Sequence, residues 1–120
     1  SGIYARENTR EAVFEALYHR RCYAATDRIL LDLRMNGHRM GAEIKLDGPR
    51  SIEAEVVGTA PFDYIAILKN NRIIHQSGAG QTGVHVAITD QTELASGDFY
   101  YLRVVQNNGD LAWSSPIWVD

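Results

Sequence analysis

At 120 residues the chain is long enough for one hydrophobic core and too short for two. Hydrophobic residues make up 45% and charged residues 22%, an ordinary globular mix that excludes a disordered chain. The net charge is -3, with 12 basic residues scattered among 15 acids, which excludes the basic stripe a nucleic-acid binder needs.

Residues 8–21, NTREAVFEALYHRR, are predicted to form a helix. Asn8 is placed to cap it, and Glu11 stands at the capping-box offset. Val13, Leu17 and Arg21 recur at helical spacing, with Phe14 and Tyr18 alongside, so the apolar face is wide and partly aromatic. Arg20 and Arg21 fall in the last turn, where the helix dipole favours cations. A helix this short needs a surface to dock on.

From Arg28 the period changes to two. Ile29, Leu31, Leu33 and Met35 alternate with Leu30, Asp32 and Arg34, and Asn36-Gly37 is a two-residue hairpin signal. Met40, Ala42, Ile44 and Leu46 resume the alternation until Gly48-Pro49 punctuates it. Ile52, Ala54 and Val56 alternate with Glu53 and Glu55, a strand with one wet face. FDYIAILKNNRIIHQ reads as two strands joined at Asn70-Asn71; Ile65 and Ile67 share one face, Tyr64, Ala66 and Leu68 the other. After the Gly-rich loop SGAGQTG, Val84, Val86 and Ile88 alternate again. A final hairpin, FYYLRVVQ and LAWSSPIWV, turns at Asn107-Asn108-Gly109. This succession of short strands predicts an antiparallel immunoglobulin- or fibronectin III-like β-sandwich with one N-terminal helix. Tyr100, on the face of Leu102 and Val104 after a Gly-Asp turn, resembles a tyrosine corner.

Motifs of catalysis are missing from the sequence. His19, His38, His75 and His85 show no ligand spacing; His75 and His85 fall in strands that sequence alone allows to be neighbours, with Asp90 or Glu93 nearby, but no ligand set follows. Ser77 and Ser114-Ser115 lack the nucleophile-elbow context. The Gly-rich loop leads into a strand, whereas a phosphate loop leads into a helix. Cys22 is the single cysteine, so neither an internal disulfide nor a thiolate cluster can form. No run approaches bilayer length and no signal-peptide pattern opens the chain, so no membrane partner is expected and the compartment stays open. The aromatics leave two readings. Tyr64, Trp113 and Trp118 can form a platform for stacking sugars or another ligand, or Trp113 can fill the core.

The stretch ENTREAVFEALYHRRCYAATDRILLDLRMNGHRMGAEI resembles the C-terminal region of PHP-superfamily metal-dependent hydrolases of the CehA/McbA type. Thr9-Arg10-Glu11-Ala12, Arg21-Cys22-Tyr23-Ala24, Asn36-Gly37 and Met40-Gly41 carry the likeness, and LAWSSPIWV, residues 111–119, extends it to the end. The pattern departs at Ala25, where the family usually has Thr, and at Asp27, where it usually has Gly. The resemblance implies a parent enzyme whose catalytic barrel, upstream, holds divalent metal and hydrolyses ester or phosphoester bonds. None of the family's metal motifs occurs in this chain, so no catalytic, metal or cofactor residue is carried over.

The resulting expectation is a non-catalytic accessory domain. Residues 1–27 would be a helical segment ending the catalytic domain, and residues 28–120 the sandwich. Val13, Phe14, Leu17, Tyr18 and Tyr23 are the candidates for the domain junction. The partner is the upstream domain of the same chain, with an oligomer contact as a further role; the alternative is a carbohydrate- or ligand-binding module.

Overall fold

The computed structural model describes residues 23–45 and 48–120. The helix expected over residues 8–21, with Val13, Phe14, Leu17 and Tyr18, lies outside the described residues. Those described are mainly strand and contain no helix, hence none long and apolar enough to cross a membrane.

The strands are β1 (Tyr23–Ala25), β2 (Leu30–Met35), β3 (His38–Arg39), β4 (Glu43–Ile44), β5 (Arg50–Val57), β6 (Phe62–Lys69), β7 (Arg72–Ser77), β8 (Gly83–Asp90), β9 (Phe99–Gln106), β10 (Leu111–Ser114) and β11 (Ile117–Val119). They form two sheets. One has four strands in the order β3-β2-β5-β8. The other has seven: β1-β10-β9-β11-β4 along one path, with β6 between β9 and β7. Strand pairs are antiparallel except β11 with β4.

The turns form where the residue types demand. Asn36 and Gly37 take φ of 48° and 83°, and Asn70 and Asn71 take 52° and 67°, the left-handed conformations of tight hairpins. One expected strand is broken. The alternation from Met40 to Leu46 stops at Gly41, whose φ is 87°. The Met40 N–H donates to Leu33 in the four-stranded sheet, whereas the Gly41 N–H donates to Pro116 on the other side. A positive-φ glycine is what lets the chain change sheets within one residue. Residues 111–119 divide into β10 and β11, which both pair with β9 in the one sheet, because Pro116 has no N–H to continue the ladder. Where β10 ends, the Ser114 hydroxyl accepts the Leu102 N–H at 2.8 Å.

The sandwich also starts earlier than the expected boundary at residue 28. Tyr23–Ala25 pairs with β10, and Tyr23 is buried in the inter-sheet core beside Ile29 and Leu31. Tyr23 is therefore a core residue of the sandwich. Alternation on β2, β5, β6 and β9 supplies the rest of that core, including Leu33, Ile52, Ile65, Ile67, Leu102 and Val104, all fully buried.

At one end of the core, buried Gln106 ties two loops together. Its Oε1 accepts the Thr59 N–H at 2.8 Å, and its Nε2 donates to the Thr59 hydroxyl at 2.9 Å and Asn108 at 3.2 Å. Gly58 makes room for this arrangement, since a Cβ there would lie 2.5 Å from the Phe62 ring and 2.7 Å from Gln106 Oε1. Gly58→Ala is expected to lower unfolding free energy by about 1–3 kcal/mol through overpacking, measurable by urea titration.

Candidate functional site

Two features stand out on this scaffold: a buried ionic corner at one end and an aromatic face on the outside of the seven-stranded sheet.

The corner follows from strand alternation carried to the strand ends. Arg50 shares the inward face of Ile52, Asp90 that of Val86, Lys69 that of Ile67, and Tyr100 that of Leu102. Four polar side chains thus converge where the two sheets meet. Arg50 Nη2 lies 3.1 Å and Lys69 Nζ 3.0 Å from Asp90 Oδ2. The Tyr100 hydroxyl donates to the same carboxylate and accepts from Arg50 Nε at 3.1 Å. Thr92 gives Asp90 its N–H at 3.0 Å and its hydroxyl at 2.7 Å. Buried Asp98 accepts from Asn70 Nδ2 at 2.8 Å and from the Ala95 N–H at 3.1 Å.

Burial by itself would raise the Asp90 carboxyl. Hydrogen bonds from Tyr100, Thr92 and Lys69 outweigh it and hold the group well below the usual carboxylate range. Asp98 is lowered by the same contest, burial against bonds from Asn70 and Ala95. Tyr100 is raised, by burial first and by its bond to Asp90 second.

A depression of about 430 Å³ opens over Arg50, between Gly48-Pro49 and residues 91–94. It is a poor anion site. Arg50 Nε is bonded to Tyr100, Nη1 donates to the Gly48 carbonyl at 3.0 Å, and Nη2 donates to the Thr92 carbonyl at 2.8 Å. The guanidinium is used up inside the protein. The corner is a structural clasp between the sheets.

The outer face has the opposite character. On β9 the outward residues are Phe99, Tyr101, Arg103 and Val105; on β10 they are Leu111 and Trp113. The register sets Trp113 opposite Arg103, and Arg103 opposite Ala66 of β6. Trp118 of β11 pairs with Phe99, their rings 4.8 Å apart. Phe99 also stacks on Tyr101 at 6.4 Å and 10°. The Arg103 guanidinium lies 5.6 Å from the Tyr64 ring centre, within cation–π range. Trp113 is 45% and Trp118 44% exposed.

Tyr64, Trp113 and Trp118 thus share one sheet face, and Trp113 does not fill the core. Ala112 and Ser114 point inward on β10 instead. Trp, Tyr and Arg together on a surface are the residue types that dominate binding hot spots. His75 and His85 are not neighbours: His75 is in the seven-stranded sheet and His85 in the four-stranded one, where its Nε2 is 3.8 Å from Glu53. Sequence reading singled out Tyr100 but missed Arg50, Asp90 and Lys69. Their signal was positional, a charged residue standing one step beyond an apolar alternation on its inward face.

No family model matches the chain. An uncharacterised protein of Chlamydia trachomatis serovar D is 34% identical over an alignment of 138 residues that covers the whole chain and 22% of that protein. Uncharacterised proteins of Chlamydia muridarum and Chlamydia pneumoniae are 33% and 34% identical over the same shares. The chain therefore spans about a fifth of the length of the curated relatives it matches. Among solved structures, the fibronectin(III)-like modules of Clostridium thermocellum CbhA align with a TM-score of 0.48 and 12% identity, over 72% of this chain and 93% of that one.

Proposed function

We propose that the chain is a non-catalytic accessory β-sandwich module of a longer protein, and that it packs against the preceding domain through the outer face of its seven-stranded sheet. The observation that carries this reading is the pair of half-exposed tryptophans, Trp113 and Trp118, on a face otherwise built of Phe99, Tyr101, Tyr64 and Arg103. An exposed aromatic patch of this kind marks an interface. Its position supports an intramolecular partner: Ala24 of β1, where the chain arrives from residues 1–22, is the register neighbour of Trp113.

The module is read as immunoglobulin- or fibronectin III-like. Support comes from the strand order, β2-β5-β8 against β7-β6-β9-β10; the Tyr100 hydroxyl meets the Asp90 carboxylate and Arg50, and not the upstream backbone that a tyrosine corner bonds. For the parent, the resemblance over residues 7–44 supports a PHP-type metal-dependent hydrolase whose divalent metal sits in the upstream domain. The length of the relatives leaves ample room for such a barrel.

Trp113→Ala with Trp118→Ala in the full-length protein is the test, read by calorimetry. The sandwich transition is expected to uncouple from that of the rest of the chain, with loss of about 2 kcal/mol or more of docking energy. Unchanged coupling overturns the docking role. A saturable change in Trp fluorescence on titrating oligosaccharides would instead make the face a sugar-stacking platform. An upstream reading frame without PHP metal motifs overturns the assignment of the parent.

A further inference from the structure

We propose that β8, the free edge of the four-stranded sheet, is an isologous contact through which two copies of this chain join their four-stranded sheets into one continuous antiparallel sheet. The contact lies away from the outer aromatic face and is independent of the docking role given to that face.

Two hydrogen bonds fix which main-chain groups of β8 point to the edge. The Gly58 N–H donates to the Thr82 carbonyl at 2.7 Å, one step beyond the Val57–Gly83 pair. On the other side of β5, the Asn36 N–H donates to the Ser51 carbonyl at 2.9 Å, one step beyond Met35–Ile52. Bonded and unbonded pairs alternate in an antiparallel ladder, so β5 turns its even-numbered residues to β8 and its odd-numbered ones to β2. On β8, Val84, Val86, Ile88 and Asp90 therefore bond to β5. The N–H and C=O groups of Gly83, His85, Ala87 and Thr89 point away from it, and none is bonded to a described residue.

A row of free main-chain groups is a template for another strand, and edges are ordinarily blunted by short length, bulges, proline or lysine. The other edges among the described residues are blunted. β1, β3 and β4 are two or three residues long, and β7 carries a bulge that leaves Ile74 without a partner in β6. β8 runs for eight residues in unbroken register and contains neither proline nor lysine. Its inward-facing Val84 and Ile88 are only half-buried, whereas Ile52, Ala54 and Val56 beside them on β5 are fully buried. A strand laid along β8 completes that burial.

Self-complementarity identifies the occupant as a second copy. Two-fold pairing has to set outward-bonding residues opposite one another, so the axis falls on a residue position. An axis at Val86 sets Gly83 opposite Thr89 of the second copy, Val84 opposite Ile88, His85 opposite Ala87, and Val86 opposite itself. Every outward residue of both strands is then paired, and the inward row is β-branched and apolar throughout. On the outer face, Ala87 is the register neighbour of Glu53, so the row through His85 runs across Ala87 to Glu53 of the second copy. Opposite charges share that row and no like charges face each other. An axis at His85 would set two imidazoles against each other. An axis at Ala87 would set Val84 against Asp90, which Arg50 and Lys69 already hold. Charge and hydropathy together select the register centred on Val86.

Sedimentation equilibrium of the 120-residue chain tests the proposal and is expected to show a monomer–dimer equilibrium. The Ala87 N–H is not used by β5, so Ala87→Pro keeps that ladder and removes one seam donor from each copy. The dimer dissociation constant is expected to rise about tenfold or more, with the thermal transition of the monomer little changed. Hydrogen exchange of the unaltered chain gives a second reading should Ala87→Pro fail to fold. The amides of His85, Ala87 and Thr89 are expected to gain protection as the concentration rises, while those of Val84, Val86 and Ile88 are protected at every concentration. The proposal is overturned if the chain stays monomeric up to about 1 mM, or if the dimer survives Ala87→Pro undiminished. It is equally overturned if Trp113→Ala with Trp118→Ala dissolves the dimer, which would place the contact on the outer aromatic face. A monomer that binds a synthetic peptide of residues 83–90 with the same alternating protection would make the edge a receptor for a foreign strand and overturn the second copy as its occupant.

Discussion

Asp90→Ala is expected to destabilise the domain by about 3–5 kcal/mol, the cost of removing one partner from a buried ion pair. The carboxylate serves two cations, Arg50 at 3.1 Å and Lys69 at 3.0 Å, and Arg50 is only 1% exposed. Its removal strands a charge that cannot reach water. The Tyr100 hydroxyl and Thr92 lose their acceptor at the same time. Denaturant unfolding with fluorescence detection should show a lower midpoint and an unchanged slope. A variant within 1 kcal/mol of the parent would mean that the corner is solvated and that its ion pairs contribute as surface pairs do.

The same carboxylate makes a pH prediction with a definite sign. Its folded value lies well below its ordinary 3.8, because the hydrogen bonds outweigh the burial. An unfolded chain therefore takes up the proton first as the solution is acidified. The stabilisation is fully present above about pH 4 and is lost progressively as pH falls from there toward the folded value. Asp98 acts in the same direction. Asp90→Asn, which keeps the shape but cannot titrate, should flatten the slope of stability against pH between about 2 and 4. Should the slope survive in Asp90→Asn, other carboxylates govern acid unfolding.

Much of this architecture can be read from residue order alone. Asn36-Gly37 and Asn70-Asn71 announce their turns because few other residues tolerate positive φ. The faces of β5, β6 and β9 follow from period-two alternation. What alternation does not reveal is which sheet a strand joins. The run from Met40 to Leu46 looks continuous, yet the chain leaves one sheet for the other at Gly41, a choice made by long-range partners in residues 116–119. Nor does hydrophobicity say which side of β10 is inside. Leu111 and Trp113 are the more apolar pair, but Ala112 and Ser114 point inward, where they pack close to β9 and leave Trp113 on the surface. Here packing across the strand overrides the simple rule that large apolar side chains are buried. The ionic corner was legible in principle. Arg50, Lys69, Asp90 and Tyr100 each extend an apolar face by one step, and only the fold shows that the four strand ends meet.

Substitutions at Tyr100 separate a clasp made of independent bonds from one that acts as a unit. Tyr100 is fully buried, so Tyr100→Ala removes a large core side chain and is expected to cost about 3–5 kcal/mol. Tyr100→Phe keeps the ring and removes only the hydroxyl, which donates to Asp90 and accepts from Arg50. Bonds to charged groups set that loss at about 1.5–3 kcal/mol. Once Asp90 is already Ala, however, the hydroxyl has no carboxylate to meet and Arg50 Nε is its remaining partner. Adding Tyr100→Phe to Asp90→Ala should then cost at least 1 kcal/mol less than Tyr100→Phe alone, a coupling of the size measured for residues sharing one network. Additive losses would show that the hydroxyl contributes independently of Asp90, through its bond from Arg50 Nε. Coupled losses would show that the sheets are joined there by a single cooperative polar cluster.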